Sequence, residues 1–401
     1  MPSGSIHGYI EHYFAPHPTQ QVRELFLSSA ILNFATGAIA LFEPLYLHSV
    51  GFSIPKILLF YAAVYILYFF MLPLGGRICR RHGYEHTILF SSPFLILWYI
   101  SLFAIPWHPA FAVVALFALV FQKILYWPGY HTNFATWSTK SERGREVSNM
   151  AAIVGLAAVV APAVGGAVIA AFGYRTLIIG VAILILLSNI PLLRTPELYA
   201  PKSFEYVAAI KRPFGKKNRK RTMAFAGYGE ELIALVAWPL FMVTVIPNLT
   251  SLGVIVSLAM LLNVVAILYI GRLSDEGDPV SVLRSGVFYD VASWIMRPVV
   301  AGGGLGVFLM DSFYRVSKNM LGLPLVAMMY DEARDGVTME SVVHFEMSLS
   351  IGKAAAAIAA AAILWRWDTA WPAVFVLAGV FASFYALMPR KVFVAAVASS
   401  T

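Results

Sequence analysis

Cysteine is almost absent from this chain: Cys79 is the only one among 401 residues, which excludes an intrachain disulfide and any thiol-rich metal site. Charge is scarce as well. Only 12% of the residues are Asp, Glu, Lys or Arg, against 59% hydrophobic, a balance that excludes an ordinary soluble domain of this length. Also missing are a glycine-rich nucleotide loop, a serine-centred nucleophile motif and any His/Asp/Glu cluster. Neither an enzyme, nor ATP as energy source, nor a cofactor, nor a bound metal is therefore expected. The first 24 residues hold Glu11, His12, Pro16, Pro18 and Arg23, so no cleavable signal peptide is expected there.

What the chain does have is long apolar runs. About twelve lie between residues 25 and 391, and several exceed the ~20 residues that cross ~30 Å of hydrocarbon as a helix. The runs are continuous instead of alternating, which selects helices over barrel strands. The second six repeat the first six: Pro44-Leu45 and Pro239-Leu240, Gly76-Arg77 and Gly271-Arg272, and Lys123 and Lys318 all stand 195 residues apart. The expected fold class is an all-α integral membrane protein, twelve spans in two pseudo-symmetric six-helix bundles, with a solute pathway along the seam between them. The expected units are a tail at 1–24, a bundle at 25–194, a basic linker at 195–221, a second bundle at 222–391 and a tail at 392–401.

The net charge of +8 is distributed by topology. With the N-terminus inside, the inner connections hold 21 of the 29 Lys and Arg, the positive-inside bias that places both termini in the cytoplasm. A cell (plasma or inner) membrane is the expected location, lipid the expected surroundings, and a monomer the expected state; nucleic acid is not an expected partner. The linker, with Lys211, Arg212, Lys216, Lys217, Arg219, Lys220 and Arg221, reads as a topology anchor, and Ser203 to Arg212 as a short surface helix. Cys79, flanked by Arg77, Arg80 and Arg81, is expected to be an accessible inner-side thiol.

The 6 + 6 arrangement, the basic central loop, Gly76-Arg77-Ile78-Cys79-Arg80-Arg81-His82-Gly83, Gly271-Arg272-Leu273-Ser274-Asp275, Glu142-Arg143-Gly144-Arg145 and Ala161-Pro162-Ala163-Val164-Gly165-Gly166 together resemble the major facilitator superfamily. The resemblance implies transport by alternating access, with gating contacts at Gly76, Arg80 and Gly83 and at Gly271, Arg272 and Asp275. It implies a latch from Asp275 toward the start of the fifth helix near Ser148; the matching first-half position is Arg80, so asymmetric gating is expected. The 161–166 stretch reads either as close helix packing or as an antiport marker.

Eleven charges fall inside the spans: Lys123, Arg297, Arg315, Lys318 and Lys353, with Glu43, Glu230, Glu231, Asp290, Asp311 and Glu346. At ~3 kcal/mol each they would cost ~30 kcal/mol if unpaired in lipid, more than the ~5–15 kcal/mol that stabilises a domain. They must therefore pair, take up protons or face water. Asp311, Arg315 and Lys318 share one helix face. Glu230 and Glu231 point about 100° apart, so one of them is expected to face the seam. Two readings stand: salt bridges that hold the halves together, or groups that bind solute and carry protons. On the second, Lys123, Lys318 and Arg315 favour an anionic or zwitterionic solute, with Tyr65, Tyr126, Trp127 and Tyr130 as aromatic lining. Glu43, Glu230, Glu231, Glu346 and Asp311 are then the proton candidates. The expected function is secondary-active transport of a small polar solute, coupled to H+. Proton-coupled efflux of amphipathic compounds and a transport-inactive sensor or scaffold are the alternatives.

Overall fold

The computed structural model describes residues 19–137, 153–194, 203–276, 279–332 and 338–389. Among these the secondary structure is helical, with no strand. The first helix, α1 (Gln20–Ala40), starts at Thr19, whose hydroxyl accepts the amide of Val22 at 3.3 Å and so satisfies one of the unpaired donors of the first turn. The helix breaks at Leu41 and Phe42 and restarts as α2 (Glu43–Ser49), with Pro44 in the first turn, where its missing N–H is harmless. Next come α3 (Ile54–His82), α4 (Tyr84–Ala104) and α5 (Ala110–Trp137). One residue, Gly83 at φ 97°, joins α3 to α4; this left-handed conformation is why a glycine stands there. Helical residues 153–159 lead into α6 (Ala161–Ser188), interrupted at Gly173 with φ 78°.

The second part begins with a short α7 (Tyr206–Lys211), inside the surface helix expected at 203–212, and α8 (Arg219–Ala226). Then α9 (Gly229–Leu232) passes through a widened π turn (Ile233–Ala237) into α10 (Trp238–Val245). The chain continues through α11 (Leu249–Glu276), α12 (Pro279–Val300), α13 (Gly304–Glu332), α14 (Thr338–Arg366) and α15 (Trp371–Ser383).

Among the described residues eight helical stretches are long and apolar enough to cross a membrane. The helices α12 and α13 have the length, at 22 and 29 residues, but each carries at least three charged side chains. The surface is apolar and the interior polar: Phe70, Ile183, Val265 and Phe288 are each more than half exposed, while Glu230, Asp290 and Arg297 are fully buried. That inversion suits hydrocarbon as the outer solvent.

Within the first part α1 packs on α6, α4 on α5 and α3 on α5; within the second, α12 packs on α13, α11 on α13 and α12 on α15. Across the two, α3 runs along α14 and α6 along α11. Gly165 and Gly166 make the packing on α6 possible. A Cβ on Gly165 would lie 1.8 Å from the Ala38 carbonyl oxygen and one on Gly166 2.5 Å from that of Leu249. The glycines at 165–166 are thus packing positions against α1 and the start of α11.

Three expectations change. Gly76 and Arg80 belong to the last turns of α3, which runs on to His82; the turn itself is Gly83. Likewise α11 continues through Gly271, Arg272 and Asp275 to Glu276, and the side chains of those three lie outside the described residues, as do Glu142–Arg145 and Ser148. Cys79 is fully buried, its thiol 3.2 Å from Thr87 Oγ1, because α3 keeps its packed face beyond the apolar run.

Candidate functional site

Where α3, α5, α9, α13 and α14 meet, the charged side chains converge. Lys318 of α13 forms an ion pair with Glu230 of α9 and also donates to Tyr385 Oη at 2.7 Å. Its ammonium sits over the Tyr228 ring, 4.3 Å from the centroid. Lys353 of α14 pairs with Glu231 at 3.4 Å and lies 5.2 Å from the centre of the Tyr65 ring on α3. Both glutamates therefore face polar partners, where one had been expected to. The reason is that two lysines, on two helices, approach α9 from different sides. The π turn that follows Glu230 and Glu231 widens the helix beside them, a feature common at functional sites.

Lys123 of α5 is different. It lies 5.3 Å from the centre of the same Tyr65 ring, and among the described residues it has no acid in ion-pair contact. The residue 195 positions before Glu230 is Ala35, so that position carries no carboxylate. Glu43, whose oxygen accepts the Tyr61 hydroxyl at 3.3 Å, is close enough to act on Lys123 electrostatically but does not pair with it.

A second group lies toward the end of the molecule where α3 finishes and α14 begins. Tyr68 Oη donates to Glu346 Oε2 at 2.9 Å, His131 Nε2 is 3.4 Å from the other Glu346 oxygen, and His131 Nδ1 is 2.8 Å from Tyr330 Oη. This chain ties α3 and α5 to α13 and α14. Beyond it, Arg80 pairs with Glu340 at 2.8 Å and donates to the Ser203 carbonyl at 2.9 Å. Arg80 thus makes a clasp between the two parts with the basic partner on α3. Gly76 lets Val343 and Phe204 approach beside it, at 3.1 and 3.2 Å from where a Cβ would stand.

The other candidates fall in place as follows. Asp311 accepts Arg315 Nε at 2.7 Å and Trp238 Nε1 at 3.1 Å, so Arg315 is already engaged. Tyr126 and Tyr130 stack on each other, centroids 5.6 Å apart, and Trp127 stacks on His131 at 5.4 Å. Sequence reasoning did not select His131, Tyr68, Tyr228, Tyr385 or Lys353 as site residues. Tyr68 carried a signal, since it shares a face with Tyr61 and Tyr65, and Lys353 carried one in its seven-residue spacing from Glu346. The others were indistinguishable from packing aromatics.

An apolar exterior around a paired and partly unpaired charged seam defines a multi-pass membrane protein with a polar interior. The sequence matches the profile of the Major Facilitator Superfamily over residues 25–329, and the chain belongs to that family. Similar folds include the D-xylose-proton symporter (TM-score 0.67, 11% identity, 90% of this chain and 96% of that one). The human organic anion transporter MFSD10 (TETRAN) is similar at TM-score 0.63 and 13% identity over 90% and 99% of the two chains. A POT family transporter in complex with a thioalcohol conjugated peptide is similar at TM-score 0.69 and 11% identity over 92% and 94%. At such identities the likeness is one of fold. No curated protein matches the chain in sequence.

Proposed function

We propose that this protein is a secondary-active transporter of a small organic anion, working by alternating access and driven by the proton gradient. The observation that carries the reading is Lys123. A lone cation inside a membrane is unfavourable by ~3 kcal/mol, and Lys318 and Lys353 are each relieved by a glutamate. Lys123 has the Tyr65 face, with Glu43 and Glu231 within electrostatic range but no ion pair among the described residues, so a carboxylate or similar anion from solution would complete it. Tyr65 shares its ring between Lys123 and Lys353, which brings a second cation to the place where that anion would bind.

Twelve spans in two six-helix halves, with the basic connections and both termini cytoplasmic, is the layout we adopt. The contacts support it: α3 against α14 and α6 against α11 are exchanged with each other by the 195-residue repeat. In this frame Arg80–Glu340 and the Tyr68–Glu346–His131–Tyr330 chain close the cytoplasmic side, and they part when the halves rock. Proteoliposomes offered a panel of labelled mono- and dicarboxylates, with and without an inward-acid gradient, test the proposal. We expect gradient-driven accumulation of at least one anion, lost in Lys123→Ala and partly kept in Lys123→Arg. Accumulation of neutral sugars or amphipathic cations by wild type and Lys123→Ala alike would refute the anion assignment.

A further inference from the structure

Away from the seam, inside the second half, the charges do not all find partners. Asp311 is matched by Arg315 and Glu230 by Lys318. That leaves Asp290 and Arg297, both on α12 and both fully buried. Seven residues apart on one helix, they stand about 10 Å apart along its axis, and no hydrogen bond joins them. Arg297 lies between ring faces: its guanidinium carbon is 3.4 Å from the centre of Trp294, 4.2 Å from Trp238 and 5.0 Å from Tyr314. Its three nitrogens have no hydrogen-bond partner, nor does Trp294 Nε1. A guanidinium cannot shed its proton in a protein, so Arg297 remains a fixed cation.

Asp290 is different because it can be neutralised. One carboxyl oxygen accepts Ser317 Oγ at 2.8 Å; the other has no partner. The nearest mobile cation, Lys318, is adjacent to Ser317 in sequence and is already held by Glu230 and Tyr385. Glu230 itself keeps one oxygen unpartnered. The charges acting on Asp290 are Glu230 from α9, Lys318 from α13 and Arg297 from its own helix. Asp311, Arg315 and the phenol of Tyr314 lie further along α13, and Tyr385 follows α15. The helix α15 itself contains no charged residue, and the described side chains of α11 bring none. Two fully buried acids thus compete for one lysine.

We propose that Asp290 is a proton-binding site of this protein, set behind the seam and linked to it through Ser317 and the shared lysine. With the proton on Asp290, Lys318 stays with Glu230. When the proton leaves, the new carboxylate competes for Lys318, and the ammonium swings from α9 toward α12. Proton occupancy is thereby converted into the choice of partner at the seam. The link to solute movement rests on the transport reading above; the proton site does not.

Infrared difference spectroscopy between acid and alkaline pH, on the purified full-length protein in lipid without any solute, tests the site directly. A protonated-carboxyl band that is absent in Asp290→Asn, and whose midpoint moves in Ser317→Ala, is the expected result. An unchanged band in Asp290→Asn overturns the proposal. So does an unmoved midpoint in Ser317→Ala, which carries the test if Asp290→Asn fails to fold. In proteoliposomes Asp290→Asn should keep solute exchange at fixed pH and lose gradient-driven accumulation by up to ~50-fold, since one proton at ~100 mV supplies about that much. Wild-type accumulation in this variant overturns the coupling role. If no solute moves in any variant, the transport reading fails while the infrared result still decides the proton site.

Discussion

Replacing Asp311 by asparagine separates a structural ion pair from a functional one. Asp311 is 2% exposed at its side chain and Arg315 24%. Breaking a fully buried pair costs ~3–5 kcal/mol. Arg315 keeps a quarter of its side chain accessible, so the part due to it falls to ~2 kcal/mol. Asparagine can still accept from Trp238, so that bond survives. Arg297 loses the carboxylate that acts on it most strongly, which adds ~1 kcal/mol. The sum, ~3 kcal/mol, is roughly a 150-fold loss in the folded-to-unfolded ratio. Adding Arg315→Gln should return ~2 kcal/mol of it, and the ~1 kcal/mol that remains is the share of Arg297. Thermal unfolding in mild detergent, read by size exclusion after heating, measures the four corners of the cycle. An Asp311→Asn protein as stable as wild type, exchanging solute but unable to accumulate it, would show that Asp311 is a proton carrier and that this reasoning is wrong.

Three further outcomes follow from the site. Lys123→Gln, which keeps most of the side chain's length and removes its charge, should abolish anion transport with little loss of folded protein; undiminished uptake by Lys123→Gln would remove Lys123 from the solute site. Arg80→Glu should loosen the clasp by ~1–2 kcal/mol through repulsion from Glu340. It should speed maleimide labelling of Val343→Cys in a Cys79→Ala background, and the reciprocal change Glu340→Arg should restore slow labelling. Wild-type Cys79, being buried, should react slowly with any maleimide until the protein is unfolded, and rapid labelling of the native protein would contradict the extended α3.

Much of the helical architecture could be read from the apolar runs, because a bilayer demands both length and continuity. The intramembrane charges could be read too, since they are expensive wherever they stand. Their partners could not. Glu340 stands 260 residues from Arg80 and Glu346 278 residues from Tyr68, and nothing in a single sequence ties positions so far apart. Helix ends were misjudged for a physical reason: Arg77, Arg80, Arg81 and His82 are polar, which ends a hydropathy run but not an α-helix. His131 was hidden among Tyr126, Trp127 and Tyr130, where packing alone accounts for an aromatic cluster.

The two parts of this chain are unequal in charge. Nine of the eleven intramembrane charges belong to the second part; the first holds Glu43 and Lys123 and otherwise presents rings. Gathering charge in one part leaves the other copy of the helical framework free to change. Substitutions around Lys123, Tyr65 and Tyr126 can retune which molecule is accepted while the ionic wiring of the other copy stays intact. In an evolving lineage, taste for cargo and access to energy could then be inherited separately.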